Sequence, residues 1–207
     1  MTALRLTGTL LVALSCIAGC ATSPSDKKPT PAQPVADSPP TTTDAPAEWC
    51  AGRPVEVLEE YWDDGSPSVR EEVVVDDDGE YVRHGQTTHW YQNGQKKLEI
   101  RFNCGLRHGK KEAWYADGAP WSVGYFVNDR DDGTWTVWHP DGTKAREYNM
   151  REGAWHGPFA TWHPNGQPQL KGEYVAGLQQ GVWVMWDEQG NVLKQAEYID
   201  GKEQPLP

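Results

Sequence analysis

Glycine recurs at positions 85, 109, 133, 157 and 181, and tryptophan at 90, 114, 138, 162 and 186, each in steps of 24 residues without one insertion. A third series, Gly94, Gly118, Gly142, Gly166 and Gly190, keeps the same step. A chain in such register is a repeat array. Each unit is one supersecondary structure that buries its apolar surface against its neighbours.

The turn residues identify the unit. Tyr115-Ala116-Asp117-Gly118 makes an Asp-Gly turn, and the other units carry Gln92-Asn93-Gly94, Pro140-Asp141-Gly142, Pro164-Asn165-Gly166 and Glu188-Gln189-Gly190 there. A second turn follows at Cys104-Gly105, Asn128-Asp129, Glu152-Gly153, Ala176-Gly177 and Asp200-Gly201. Turn signals every ten to fourteen positions leave room for hairpins and none for a helix of ordinary length. The second strand alternates cleanly. Ile100 and Phe102, Tyr148 and Met150, and Ala196 and Tyr198 share one face, while Glu99 and Arg101, Glu147 and Asn149, and Gln195 and Glu197 take the other. The first strand is less regular. Trp135 and Trp138 are three apart, as are Phe159 with Trp162 and Trp183 with Trp186. Either both faces carry aromatics or a bulge interrupts the strand. The expected fold is all-β: a single-layer array of antiparallel β-hairpins.

Tyr61-Trp62-Asp63-Asp64-Gly65 matches Trp90 to Gly94 but lies 29 residues upstream, so residues 49–83 read as a degenerate unit capping the regular units from 84 onward. Gln204-Pro205-Leu206-Pro207 places prolines where an open edge strand invites pairing.

The unit H-G-x-W-x-x-W-x-x-x-G, seen as Asp132-Gly133-Thr134-Trp135-Thr136-Val137-Trp138 followed by Gly142, resembles MORN repeats. It is most similar to the bacterial YwqK-type variant, often labelled antitoxin. The resemblance implies a MORN-like meander over roughly residues 55–203 and no particular activity. His84-Gly85, His108-Gly109 and His156-Gly157 supply the His-Gly pair, and Asp132 and Gln180 replace the histidine elsewhere. Ordinary MORN units are one residue shorter and place a small glycine where Trp135, Phe159 and Trp183 stand; Thr87 and Lys111 stand there in the first two regular units.

The N-terminus reads as an address. Arg5 is the only charge in the first twenty residues, and Leu6 to Ile17 is mostly apolar but too short to span a bilayer. Residues 1–19 are therefore a secretory signal. Ile17-Ala18-Gly19-Cys20 resembles the lipobox of bacterial lipoproteins, which implies a lipid on Cys20. Ala21 in place of Asp implies outer-membrane sorting. Residues 20–48 hold seven prolines and no aromatic residue, and read as a disordered tether reaching up to ~3 Å per residue. Residues 49–207 form the repeat domain.

Within that domain Cys50 and Cys104 remain, an even pair in an oxidising compartment, and are expected to form a disulfide. A net charge of −11 argues against nucleic acid as a partner. Equivalent histidines in adjacent hairpins lie two strands, roughly 9.5 Å, apart. That is too far for His84, His108 and His156, or His139 and His163, to share a zinc ion. They read as structural turn residues. Asp76-Asp77-Asp78-Gly79 and Asp129-Arg130-Asp131-Asp132-Gly133 lack the ligand spacing of a calcium loop and read as acidic turns. No catalytic motif is present, and neither a metal nor a cofactor is expected.

Trp90, Trp114, Trp138, Trp162 and Trp186 read as core. Trp135, Phe159 and Trp183 are the candidate interaction stripe if their face is open, and a second packed face if it is not. The expectation is a lipid-anchored, non-catalytic interaction or scaffold module of the cell envelope with an unknown protein partner. An immunity protein that neutralises a toxin and a cell-wall glycan binder are the alternatives. The last rests on a likeness to choline-binding repeats, whose Trp-Tyr-Tyr runs are absent here.

Overall fold

The computed structural model describes residues 48–205. The signal segment, Cys20 and the proline-rich tether lie outside the described residues, as do Leu206 and Pro207.

A single 3₁₀ turn, Glu48–Cys50, precedes thirteen strands. These are β1 (Glu56–Tyr61), β2 (Pro67–Val75), β3 (Tyr81–Trp90), β4 (Lys96–Asn103), β5 (Leu106–Trp114), β6 (Pro120–Val127) and β7 (Arg130–Trp138). The series continues with β8 (Lys144–Arg151), β9 (Ala154–Trp162), β10 (Pro168–Val175), β11 (Leu178–Trp186), β12 (Val192–Ile199) and β13 (Lys202–Gln204). All pair antiparallel with their sequence neighbours in one sheet ordered β1 to β13. The expected array of hairpins is what forms, and the degenerate N-terminal unit continues the same sheet.

Two turn types alternate because the glycine series sit where the backbone turns left-handed. After each odd strand the chain closes a four-residue turn. Gly94 N–H donates to Tyr91 O at 2.9 Å, and Gly94 holds φ +82°. After each even strand from β4 onward, two consecutive residues both take positive φ, as at Glu152 (51°) and Gly153 (81°). That is the hairpin turn whose twist suits the flanking strands.

Two irregularities recur in each unit. Near the first turn, an extra residue falls on the even strand, so that Val137 pairs with Arg146 but Trp138 with Lys144. At the His-Gly pair, Arg101 faces His108, Gly109 and Lys110 between the pairs Ile100↔Lys111 and Phe102↔Arg107. The second shift adds two residues and therefore keeps the parity of the faces. The first lies on the other strand. The odd strands thus alternate normally, and Trp135 and Trp138 point to opposite faces. Both faces carry aromatics.

Hydrogen bonds also reach beyond adjacent strands, from unit to unit. Tyr91 and Tyr115 donate their hydroxyls to Trp114 O (2.9 Å) and Trp138 O (2.7 Å). His139 and His163 use Nε2–H in the same way on Trp162 O and Trp186 O. At the opposite margin, Gly105, Asp129, Gly153, Gly177 and Gly201 donate backbone N–H to the carbonyls of Arg83, Arg107, Asp131, Trp155 and Gln179. Each regular unit is locked to the next along both margins.

Candidate functional site

A single row of side chains crosses the sheet on one face. Register places Leu58, Glu71, Thr87, Ile100, Lys111 and Gly124 in line, followed by Trp135, Tyr148, Phe159, Gly172, Trp183 and Ala196. The steps of 13 and 11 residues within the regular units sum to the 24-residue lattice. Ile100, Phe126, Trp135 and Met150 form the core on this face, with Leu98, Phe102, Tyr148 and Trp155 against them.

Ring contacts then run without a break from β6 to β12. Phe126 meets Trp135 edge-on at 5.2 Å, and Trp135 stacks on Tyr148 at 6.1 Å. Tyr148 meets Trp155 at 4.7 Å, and Trp155 meets Tyr174 at 5.3 Å. Tyr174 touches Trp183 at 4.9 Å, and Trp183 reaches Tyr198 at 6.4 Å. Glycine makes room for the largest rings. The indoles of Trp135 and Trp183 lie over Gly124 and Gly172, where a Cβ would stand 2.1 Å from ring carbon Cδ2.

The candidate stripe therefore occupies one face, but as packing rather than as a bare surface. Trp135 and Trp183 are only 7% and 4% exposed, and Phe159 is half-buried between them. The unit-to-unit contacts that hide them could not be read from spacing, because each depends on the small residue across the strand. Of the Trp90 series, Trp138 is 5% exposed and the others are half-buried on the opposite face, along the margin of the first turns.

Lys111 is the exception within the aromatic row. Its Nζ donates to Ser122 Oγ at 2.8 Å and sits 5.3 and 5.5 Å from the rings of Trp121 and Trp135. Burial pushes its pKa down, and burial likewise pushes the nearby Asp131 carboxyl up.

Away from the Trp90 series and the disulfide, the other face has a polar region in its first units. Gln86, Glu99, Arg101, Gly109, Lys110 and Glu112 line a shallow groove of ≈ 430 Å³ on it. Glu72 accepts the Gln86 N–H at 2.9 Å. That bond, helped by Arg70, holds its carboxyl below the usual range against the opposing effect of burial.

Cys50 and Cys104 are joined in a disulfide with Cα atoms 5.8 Å apart. The bridge packs on Val74 and Val82 at the polar-face side of β2 and β3. His84 stands beside it, with Nδ1 3.2 Å from Cys50 Sγ, and accepts the Cys104 N–H at 3.3 Å. Asp132 and Gln180 accept Glu152 N–H and Asp200 N–H in the same manner. The residue before the bulge glycine thus caps a turn N–H in these three units, which is why histidine, aspartate and glutamine interchange there. Repeat spacing alone does not bring His84 to the two cysteines, whose potential ligand atoms all lie within 4.8 Å of its own. In the disulfide both sulfurs are committed to each other. Asp76 behaves as an acidic turn residue, its carboxylate accepting the N–H of Asp78 and of Glu80.

Residues 83–103, 155–176 and 179–200 match the family model described as a MORN repeat variant. No curated protein matches the chain. Among solved structures, a GtfA/B complex bound to UDP and GlcNAc aligns over 63% of this chain at 14% identity and a TM-score of 0.24; the alignment spans 27% of that chain's length. A Bacteroides fragilis protein of unknown function aligns over 71% of this chain and 94% of its own, at 11% identity and a TM-score of 0.19. Both likenesses are too slight to bear on fold or activity. The matched segments span β3–β4, β9–β10 and β11–β12, and what they establish is a β-hairpin repeat protein with units of the MORN variant type.

Proposed function

We propose that this chain is a lipid-anchored, non-catalytic interaction module of a bacterial cell envelope, held by Cys20 at the outer membrane and offering its sheet to a protein partner. The observation that carries this reading is the chemical division of the sheet. One face spends its aromatics on packing unit to unit. The other groups charged and amide side chains around the groove of Gln86, Glu99, Arg101, Lys110 and Glu112, beside the margin that the Trp90 series occupies. A rigid lattice of polar groups recognises a folded surface with little ordering cost. The aromatic stripe, being packed, is not the preferred docking site.

Two measurements test the proposal. Metabolic labelling with a clickable fatty acid is expected to mark the wild type and not Cys20→Ser; label that survives the substitution removes the anchor. Crosslinking and recovery from envelopes is expected to yield a protein captured by the wild type and lost with Arg101→Glu/Lys110→Glu. Recovery of the same protein by both forms excludes the polar groove. Co-sedimentation with purified peptidoglycan would support a glycan binder instead, and relief of a neighbouring toxin by co-expression would support an immunity protein.

A further inference from the structure

The disulfide lies among two further donors. His84 Nδ1 is 3.2 Å from Cys50 Sγ and 3.9 Å from Cys104 Sγ. Asn103 Oδ1 is 3.8 Å and 3.3 Å from the same two sulfurs. Two sulfurs, an imidazole nitrogen and an amide oxygen thus converge at one place. Cys50 is 1% exposed and Cys104 7%, with Val74 and Val82 against them. Three stretches supply the donors: the 3₁₀ turn before β1, the middle of β3, and the end of β4 with the turn that follows. The other units do not repeat this arrangement. Asn128, Glu152, Ala176 and Asp200 stand where Cys104 does, and Cys50 precedes the lattice altogether.

The histidine already has the form that a metal requires. Its Nδ1 accepts the Cys104 N–H at 3.3 Å, so the lone pair is on Nδ1 and the proton on Nε2. That acceptor bond is long, and an ion at the sulfurs competes for the same lone pair. The backbone also suits both kinds of link. With Cα atoms 5.8 Å apart, rotation of the two side chains separates the sulfurs to the spacing of two ligands at about 2.3 Å from one tetrahedral ion. Two thiolates beside Val74 and Val82 are costly to bury alone, and a divalent cation between them cancels their charge.

We propose that this place has a second state: with the cysteines reduced, Cys50 Sγ, Cys104 Sγ and His84 Nδ1 bind a Zn²⁺ ion, with Asn103 Oδ1 beside the fourth position. Thiolate and imidazole donors in a tetrahedral set select zinc over the hard cations. The exchange balances with a dithiol as reductant. The dithiol gives two electrons to the Cys50–Cys104 bond and leaves as its own disulfide, and its two protons pass to the two sulfurs. Zn²⁺ then displaces both protons to solvent. Either link closes the same loop, from the segment before β1 to the turn between β4 and β5. The first hairpins therefore stay stapled whether the cysteines are oxidised or reduced with zinc at hand. The proposal depends neither on the anchor at Cys20 nor on a partner at the polar groove.

The test is an anaerobic titration of the full chain in detergent, reduced with a phosphine, using Co²⁺ as the spectroscopic probe and Zn²⁺ as its competitor. The reduced wild type is expected to develop the visible bands of tetrahedral cobalt with thiolate charge transfer, and Zn²⁺ to bleach them. The oxidised wild type and reduced Cys50→Ser/Cys104→Ser are expected to show neither, and that double variant also accounts for Cys16 and Cys20. His84→Gln keeps the turn cap, as Gln180 does in its own unit. It is expected to weaken zinc by more than the roughly 100-fold that loss of an outer-shell partner costs. Amide exchange gives a second readout: protection of β1–β5, lost on reduction, returns with Zn²⁺ in the wild type and not in Cys50→Ser/Cys104→Ser. A reduced wild type without the cobalt bands overturns the proposal. So does binding that survives in the cysteine variant or in the oxidised chain, which marks an adventitious ion only. Equal zinc affinity in His84→Gln and wild type would leave His84 a turn cap and remove it from the site as proposed.

Discussion

At the scale of the residue, glycine has two distinct duties in this chain. In the turns it supplies a left-handed backbone, as at Gly142 with φ +87° and open space around its Cα. At Gly124 and Gly172 the backbone is ordinary, and the missing Cβ is the space that an indole occupies. The two duties fail differently. Gly142→Ala carries only backbone strain, about 1 kcal/mol. Gly124→Ala and Gly172→Ala displace a buried tryptophan and are expected to cost up to about 3 kcal/mol. Denaturant titration checks the order, and an equal loss at all three positions would show that the indoles are not seated on these glycines. Spacing reveals the first duty, because the turn glycines keep the 24-residue step. The second escapes it: Ile100 and Tyr148 stand at the equivalent positions, so the glycine is meaningful only with the ring across from it.

At the scale of the element, each hairpin is held by its neighbours at two margins. The tyrosine or histidine after Trp90, Trp114, Trp138 and Trp162 donates to the tryptophan carbonyl of the next unit, 23 residues on. In sequence these residues look like ordinary members of a turn, and nothing about a period of 24 indicates that their tips reach a different hairpin. Tyr115→Phe keeps the ring and removes the hydroxyl that meets Trp138 O at 2.7 Å. The expected loss is about 1 kcal/mol, most of it from a carbonyl deprived of its donor beside the buried Trp138. Amide hydrogen exchange should quicken around the turns of β5–β8 and stay unchanged in β10–β12. A uniform change along the sheet would show that the bond is not local to that junction.

At the scale of the molecule, a sheet in which each unit touches only the units beside it has no central core, so a defect stays near its origin. The disulfide is the main departure from this nearest-neighbour plan, joining residues 54 apart in sequence. It pins the segment before β1 to the turn between β4 and β5. Closing a loop of that length stabilises the fold by about 4 kcal/mol in the chain-entropy model. Reduction, or Cys50→Ser with Cys104→Ser, is expected to remove exchange protection from β1–β5 while β7–β12 keep theirs. Equal loss across all thirteen strands would mean that the array unfolds as one cooperative block.

The repeat itself was determined by sequence alone: the number and spacing of hairpins, their turn residues, the antiparallel all-β class and the candidate pairing of Cys50 with Cys104. These follow from local rules, since turn geometry demands particular residues and alternation fixes a face. Tertiary structure decided what each face is for. Trp135, Phe159 and Trp183 have the composition of an exposed aromatic stripe, yet they are packed because Gly124, Tyr148, Gly172 and Ala196 admit or meet their rings from the adjacent strands. His84 has the look of a repeat position and nothing more until folding sets it against the cysteines. Burial is a property of the partner across the strand, and only the folded register says which residue that partner is.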